Sequence, residues 1–213
     1  MGEDYQNRLT FLGDSTTYGL LDRGILKDGQ LSRQVWYGVT GHTITFKFHQ
    51  TTSISNVFGV TVPTDGMLIT EMAEKEKPEI LVITLGVTGG VSYNMEEQLF
   101  KSIYDVLITD ILNASPNTKI ICNSIYPVCK VRDAGLDADI NNENISKTNG
   151  WIEELVKDRH QKGEAVYYLD SYSLLVDENG YLPQSFSNGD GLHLSDVALN
   201  KVVEIMRTHP IPN

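Results

Sequence analysis

Apolar positions along this chain fall into two alternating patterns. Short runs, apolar at nearly every position and rich in β-branched residues, occur at 9–12, 80–85, 119–124 and 165–169, and a period-two run occurs at 43–48. A strand that is apolar at successive positions is buried on both faces, which a parallel sheet covered by helices requires. Between these runs lie longer segments at 65–76, 96–113, 144–162 and 195–207 whose apolar residues recur every three to four positions. In 96–113 the residues Leu99, Phe100, Ile103, Val106, Leu107 and Ile111 make one stripe. Ser195 is a suitable N-cap for the last segment, and Lys162-Gly163 a suitable end for the third. Strand and helix alternate throughout, so the pattern predicts an α/β domain of three layers with a five-stranded parallel sheet.

No internal repeat, low-complexity tract or Pro/Gly/Ser-rich linker interrupts the alternation. The expected organisation is a short N-terminal tail at 1–7 and one domain over 8–213. At 213 residues with 40% hydrophobic content the chain can bury a substantial core. Three stretches escape both patterns, at 20–42, 50–64 and 127–141, and each follows a predicted strand or its turn. In open α/β sheets the loops at the carboxyl ends of strands form the ligand crevice.

Charge and cysteine usage then remove several function classes. The net charge is −11 and no basic cluster exceeds a pair, so the chain lacks the electrostatic footprint of a nucleic-acid or anionic-membrane binder. The longest apolar run, at 80–87, is far too short to span a bilayer. Cys122 and Cys129 have neither metal-ligand spacing nor a nearby histidine pair, and Cys122, inside an apolar run, reads as a core residue.

The candidate chemistry sits at the two ends of the chain. The first strand leads directly into Gly13-Asp14-Ser15-Thr16-Thr17-Tyr18-Gly19. A serine on a small-residue turn between a buried strand and a helix is where α/β enzymes place a nucleophile, and the helix start supplies N–H groups for an oxyanion. Taken alone, the segment reads first as a helix cap and a turn glycine. Far along the chain, Asp190-Gly191-Leu192-His193 places a carboxylate three residues before a histidine in a glycine-rich loop, a spacing that lets the carboxylate orient the imidazole. Alone, that too reads as a surface turn. The first strand of such a sheet is central and the last helix packs beside it, so the two segments can meet at one edge. A third segment, Gly86-Val87-Thr88-Gly89-Gly90 after the strand at 80–85, can bring further donors, and it lacks the Lys-Ser/Thr of a phosphate-binding loop.

At these residues the chain resembles the SGNH, or GDSL-type, hydrolases, which carry Gly-Asp-Ser after the first strand and Asp-x-x-His near the C-terminus. The resemblance implies a flavodoxin-like three-layer fold and an esterase that needs no cofactor or metal. It implies Ser15 as nucleophile, His193 as general base and Asp190 as the carboxylate that orients it. The oxyanion hole would combine the Ser15 N–H, a second-block glycine and a third-block residue. Gly59 is the first choice for the glycine, with Gly66 as the alternative. Thr88 stands where the family has asparagine, replacing two amide donors by one hydroxyl on a shorter arm.

The expected partner is a small-molecule or carbohydrate ester. The polar, aromatic-bearing loop Gln34-Val35-Trp36-Tyr37, whose Trp36 and Tyr37 read equally as packing residues, and the lack of a long apolar lid helix favour a short acyl group, such as acetyl on carbohydrate. Thr88 motivates the alternative of a low-activity or non-catalytic SGNH-like domain that binds a glycan or a partner, and a flavodoxin-like binding domain is a third reading. Met1-Gly2-Glu3-Asp4 carries no signal-like pattern, and since many members of the family are exported, a secreted or cell-surface protein with its leader removed is expected ahead of a cytoplasmic one. Oligomeric state is not legible.

Overall fold

The computed structural model describes residues 2–26, 35–38, 53–55, 67–87, 89–131 and 138–212. In chain order the elements are α1 (Gly2–Gln6), β1 (Leu9–Gly13), α2 (Ser15–Asp22), β2 (Val35–Gly38), β3 (Ser53–Ser55), β4 (Met67–Leu68), α3 (Ile69–Glu76), β5 (Ile80–Thr84), α4 (Glu97–Ala114), β6 (Lys119–Asn123), α5 (Asn142–Gln161), β7 (Val166–Leu169) and α6 (Asp196–Thr208). Single 3₁₀ turns lie at Val91–Tyr93 and Gln184–Phe186.

These strands form one sheet in the order β4-β3-β2-β1-β5-β6-β7. The five strands from β2 to β7 are mutually parallel, while β3 and β4 extend the β2 edge with antiparallel pairing. Among the parallel strands the chain turns back after β1, placing β2 on one side and β5 on the other. The crevice where direction reverses is where open α/β sheets bind ligands. That switch point lies at the carboxyl end of β1, beside Ser15.

The apolar runs alternate between two cores. Leu12, Leu81, Ile83, Ile120, Cys122 and Val166 face α3, α4 and α5, whereas Leu9, Phe11, Ile80, Val82, Ile121 and Leu169 face α1, α2 and α6. With both faces covered, period-two strands become continuous apolar runs, and the result is a three-layer α/β/α fold. Cys122 and Cys129 are free and buried, and they belong to opposite cores. Burial pushes the Cys122 thiol up to about 12.

Several expected boundaries shift. The strand expected at 43–48 lies outside the described residues. The stretch 34–37, expected as an aromatic-bearing loop, holds β2 instead: Val35 pairs with Phe11, and Trp36, 1% exposed, is a core side chain. Pairing with a central strand decides that burial, and no local pattern announces it. The helix expected from 65 begins at Ile69, because Met67–Leu68 pairs with β3 as an edge strand. In α4 the buried stripe runs through Phe100, Ile103, Tyr104, Leu107, Ile108 and Ile111, and Val106, expected in it, lies on the solvent side. Ser195 caps α6, its side chain accepting from the Ala198 N–H, and Gly163 closes α5 by donating to the His160 carbonyl. Within the tail segment, α1 packs on α6: Tyr5 is buried and its hydroxyl accepts from the Ile211 N–H at 3.1 Å.

Candidate active site

The turn after β1 is fixed by close approach and by its cap. A Cβ on Gly13 would lie 1.9 Å from Thr17 Oγ1 and 2.8 Å from the Thr84 carbonyl oxygen, so only glycine lets β1 pass between α2 and β5 here. Asp14, buried, is the N-cap of α2, and its Oδ1 accepts from the Thr16 N–H at 2.9 Å and the Thr16 hydroxyl at 2.7 Å. Capping and nucleophile display are therefore compatible: Asp14 caps, and Ser15, the first residue of the helix, is exposed to solvent. Its N–H belongs to the first helical turn, where backbone donors have no partner within the helix.

Beneath this turn lies a buried polar layer absent from the sequence reading. Asn123, at the end of β6, donates to Thr84 Oγ1 at 3.2 Å and to the Ser124 carbonyl at 3.1 Å, and it accepts from the Ser171 hydroxyl. Burial, aided by the Asp14 carboxylate, raises the Tyr126 hydroxyl above the usual tyrosine value over the opposing hydrogen bond with Thr84. These groups link the carboxyl ends of β5, β6 and β7. A polar residue closing an apolar strand run is the one signal that could have singled out Asn123.

The second turn is held by hydrogen bonds. Asp190 Oδ1 accepts from the backbone N–H groups of Leu192 and His193, both at 2.8 Å. Its Oδ2 lies 2.6 Å from His193 Nδ1. Burial pushes the Asp190 carboxyl upward, but the His193 side chain and the two backbone donors outweigh it and hold the group below the usual aspartate value. Asp190 is thus an anion at neutral pH.

The two turns meet. His193 Nε2 lies 2.9 Å from Ser15 Oγ across 178 residues of chain. Neutral His193 protonated at Nδ1 donates to Asp190 and leaves Nε2 to accept the Ser15 hydroxyl. The helices behind the turns hold this register. Gly19 of α2 lets Leu199 of α6 approach to 3.1 Å of where a Cβ would stand, and Arg23 pairs with Asp196 at 2.9 Å. Hydroxyl, imidazole and carboxylate in this series form a relay that can take a proton from the serine and return it to a leaving group.

The structure thus brings Ser15, His193 and Asp190 together, while Gly59 and Thr88 lie outside the described residues. Nearby, the Val91 N–H donates to the Gly86 carbonyl at 2.8 Å and the Ser92 N–H to the Val87 carbonyl at 3.0 Å. The Gly89 N–H donates to Ser92 Oγ at 2.8 Å, so that amide is already engaged. Among the described residues no three His, Cys, Asp or Glu side chains converge to hold a metal ion, and no described helix is long and apolar enough to cross a membrane.

The fold is a doubly wound α/β sheet with a serine, an imidazole and a carboxylate in series at its switch point. By sequence, the chain belongs to the GDSL-like Lipase/Acylhydrolase family, whose pattern matches residues 11–198. Membership supports an ester-hydrolysing activity. No curated protein matches the chain by sequence. Among solved structures it is similar to a protein from Bacteroides fragilis named as an acylhydrolase, at 17% identity and a TM-score of 0.64 over 94% of this chain and 84% of that one. It is also similar to a GDSL-like lipase from Bacteroides thetaiotaomicron, at 14% identity and a TM-score of 0.60 over 96% of this chain and 87% of that one. A family 3 carbohydrate esterase from Clostridium thermocellum is 18% identical with a TM-score of 0.55, over 94% of this chain and 93% of that one. At such identities the likeness to these three is one of fold.

Proposed function

We propose that the protein is a serine esterase that removes short acyl groups, in particular acetyl groups carried by carbohydrate. The observation that carries the reading is the series Ser15 Oγ, His193 Nε2, His193 Nδ1 and Asp190 Oδ2, with separations of 2.9 Å and 2.6 Å across its two polar contacts. Ser15 Oγ attacks the ester carbonyl carbon while His193 Nε2 takes the hydroxyl proton. Asp190 holds the ring and stabilises the imidazolium that forms. As the tetrahedral intermediate collapses, the leaving alkoxide takes the proton from Nε2 and departs as an alcohol. Water, deprotonated by the same nitrogen, then attacks the acyl-serine, and the bond to Ser15 Oγ breaks as Oγ takes that proton back, releasing the acid and restoring the serine hydroxyl. The Ser15 N–H, with Thr88 and the second-block glycine Gly59, faces the developing oxyanion in this reading.

Two features support a short acyl group. Every described α-helix of eight residues or more contributes buried side chains to one of the two layers, so none of these is left over as an apolar lid. The carbohydrate esterase of similar fold supports a sugar-borne ester. Trp36 no longer contributes to this reading, since it is a core residue. The test is kcat/KM over a series of p-nitrophenyl esters from acetyl to decanoyl, with release of acetate from acetylated oligosaccharides alongside. Highest activity on acetyl and propionyl esters is expected. A rate that climbs with chain length, with no acetate released from sugars, would contradict the substrate assignment.

A further inference from the structure

We propose that Ser187 is a positioning residue for this site, holding the Asp190 carboxylate against His193 through the backbone of their shared loop; the proposal rests on the reading of Ser15, His193 and Asp190 as an acyl-transfer centre. Ser187 is buried, and its Oγ accepts two backbone N–H groups, from Gly189 at 3.1 Å and from Gly191 at 2.8 Å. Those are the residues on either side of Asp190. Both glycines have positive φ, +118° and +79°, so the chain makes its two left-handed bends around this single oxygen.

The loop closes at its base without that hydroxyl. Ser187 and Leu194 form an antiparallel bridge, the Asn188 N–H donates to the His193 carbonyl at 2.9 Å, and the Ser195 N–H donates to the Phe186 carbonyl at 2.7 Å. What the hydroxyl adds lies wholly at the apex, where Asp190 is carried. Cys129 supports the same apex from below: its N–H donates to the Gly191 carbonyl at 2.9 Å, and its thiol lies beside the Ser187 hydroxyl. Removing Ser187 Oγ leaves two amide donors without their acceptor, one of them buried. The apex then relaxes to pair them elsewhere. Because Asp190 Oδ1 is tied to the Leu192 and His193 N–H groups, the carboxylate moves with the backbone, and Oδ2 loses its aim at Nδ1.

The test is a double-mutant cycle read as kcat, KM and melting temperature with an acetyl ester. Ser187→Ala and Ser187→Val are expected to lower kcat roughly ten- to a hundredfold, the scale of a misplacement near 1 Å, with KM within about twofold. Ser187→Thr, which keeps the hydroxyl and suits the extended backbone there, is expected to retain activity within about threefold. In an Asp190→Asn background, Ser187→Ala is expected to cost no more than about twofold further, since it acts through a group already disabled. Wild-type kcat in the alanine and valine variants, or a full independent loss in the Asp190→Asn background, overturns the proposal. Should the alanine variant fail to fold, the threonine and valine pair, which differ by one hydroxyl, carries the comparison. If Asp190→Asn itself keeps wild-type kcat, the reading of the site falls and the positioning role with it. If Asp190→Asn is impaired and Ser187→Ala is not, only the positioning role falls.

Discussion

The two turns that meet at the site are built on different physics. The Ser15 turn is set by packing: Gly13 lies where any side chain would strike Thr17 and the β5 backbone, Asp14 is 1% exposed, and the strand before it is central in the sheet. The Asp190 turn is set by hydrogen bonds within its own loop, with the Ser187, Asn188 and Asp190 side chains each accepting backbone N–H groups from the same short segment. Ser15 thus stands on a packed core edge, and His193 and Asp190 stand on a loop shaped by polar contacts. A volume change should break the first turn, and loss of a single polar atom should break the second.

The largest expected effect is on the second turn. Asp190→Asn keeps the shape of the side chain but removes the charge that stabilises protonated His193, so kcat should fall about 10⁴-fold with little loss of folding. Steady-state kinetics and a thermal melt check both halves. A melting temperature only slightly lowered, with a ruined kcat, is the signature of a loop that serves chemistry more than stability.

Gly13→Ala attacks the first turn through volume alone. Its Cβ would sit 1.9 Å from a side-chain oxygen and 2.8 Å from a backbone oxygen that cannot rotate away, so the expected cost is about 1–3 kcal/mol of stability together with a fall in kcat. Urea unfolding measures the first and ester hydrolysis the second. A variant as stable as wild type would show that the turn is looser than its contacts imply.

Thr17→Val gives the sharpest contrast with Ser187. Thr17 Oγ1 is buried and has no hydrogen-bond partner among the described residues. Exchanging that hydroxyl for a methyl group should raise stability by about 1 kcal/mol and leave kcat nearly unchanged. Loss of one hydroxyl from Ser187, in the other turn, is expected to do the reverse.

The smallest effect is one of pH. Asp190 has a folded-state value below the ordinary 3.8, so its contribution to stability is present above that value and is lost as pH falls through the lower folded-state value. Unfolding takes up a proton in that window. The stability difference between wild type and Asp190→Asn should therefore shrink as the solution is acidified below about pH 4, which unfolding midpoints across an acid pH series would measure.

The same contrast explains what was legible in the sequence. The runs that became β1, β5 and β6 are apolar at nearly every position, so local pattern and global burial agree. Ser15, Asp190 and His193 were legible because each lies in a short segment whose spacing carries its chemistry, and because the first strand and last helix of this architecture are neighbours. β2 was not legible: four residues after a polar stretch become a strand only by pairing with Phe11–Gly13, and that information lies elsewhere in the chain. The edge strand at Met67–Leu68 was hidden by a helical pattern running through it. Ser187 was visible only as one more turn residue, since a serine among asparagine and glycine does not declare which N–H groups it accepts. Gly59 and Thr88, expected in the oxyanion hole, lie outside the described residues.

The central claim is that Ser15 is an activated nucleophile, and a fluorophosphonate probe tests it most directly. Wild-type protein should be labelled once, with the adduct on the peptide containing Ser15, and Ser15→Ala should not be labelled while folding normally. A folded wild type that resists the probe, or a Ser15→Ala variant labelled as readily as wild type, would contradict the account.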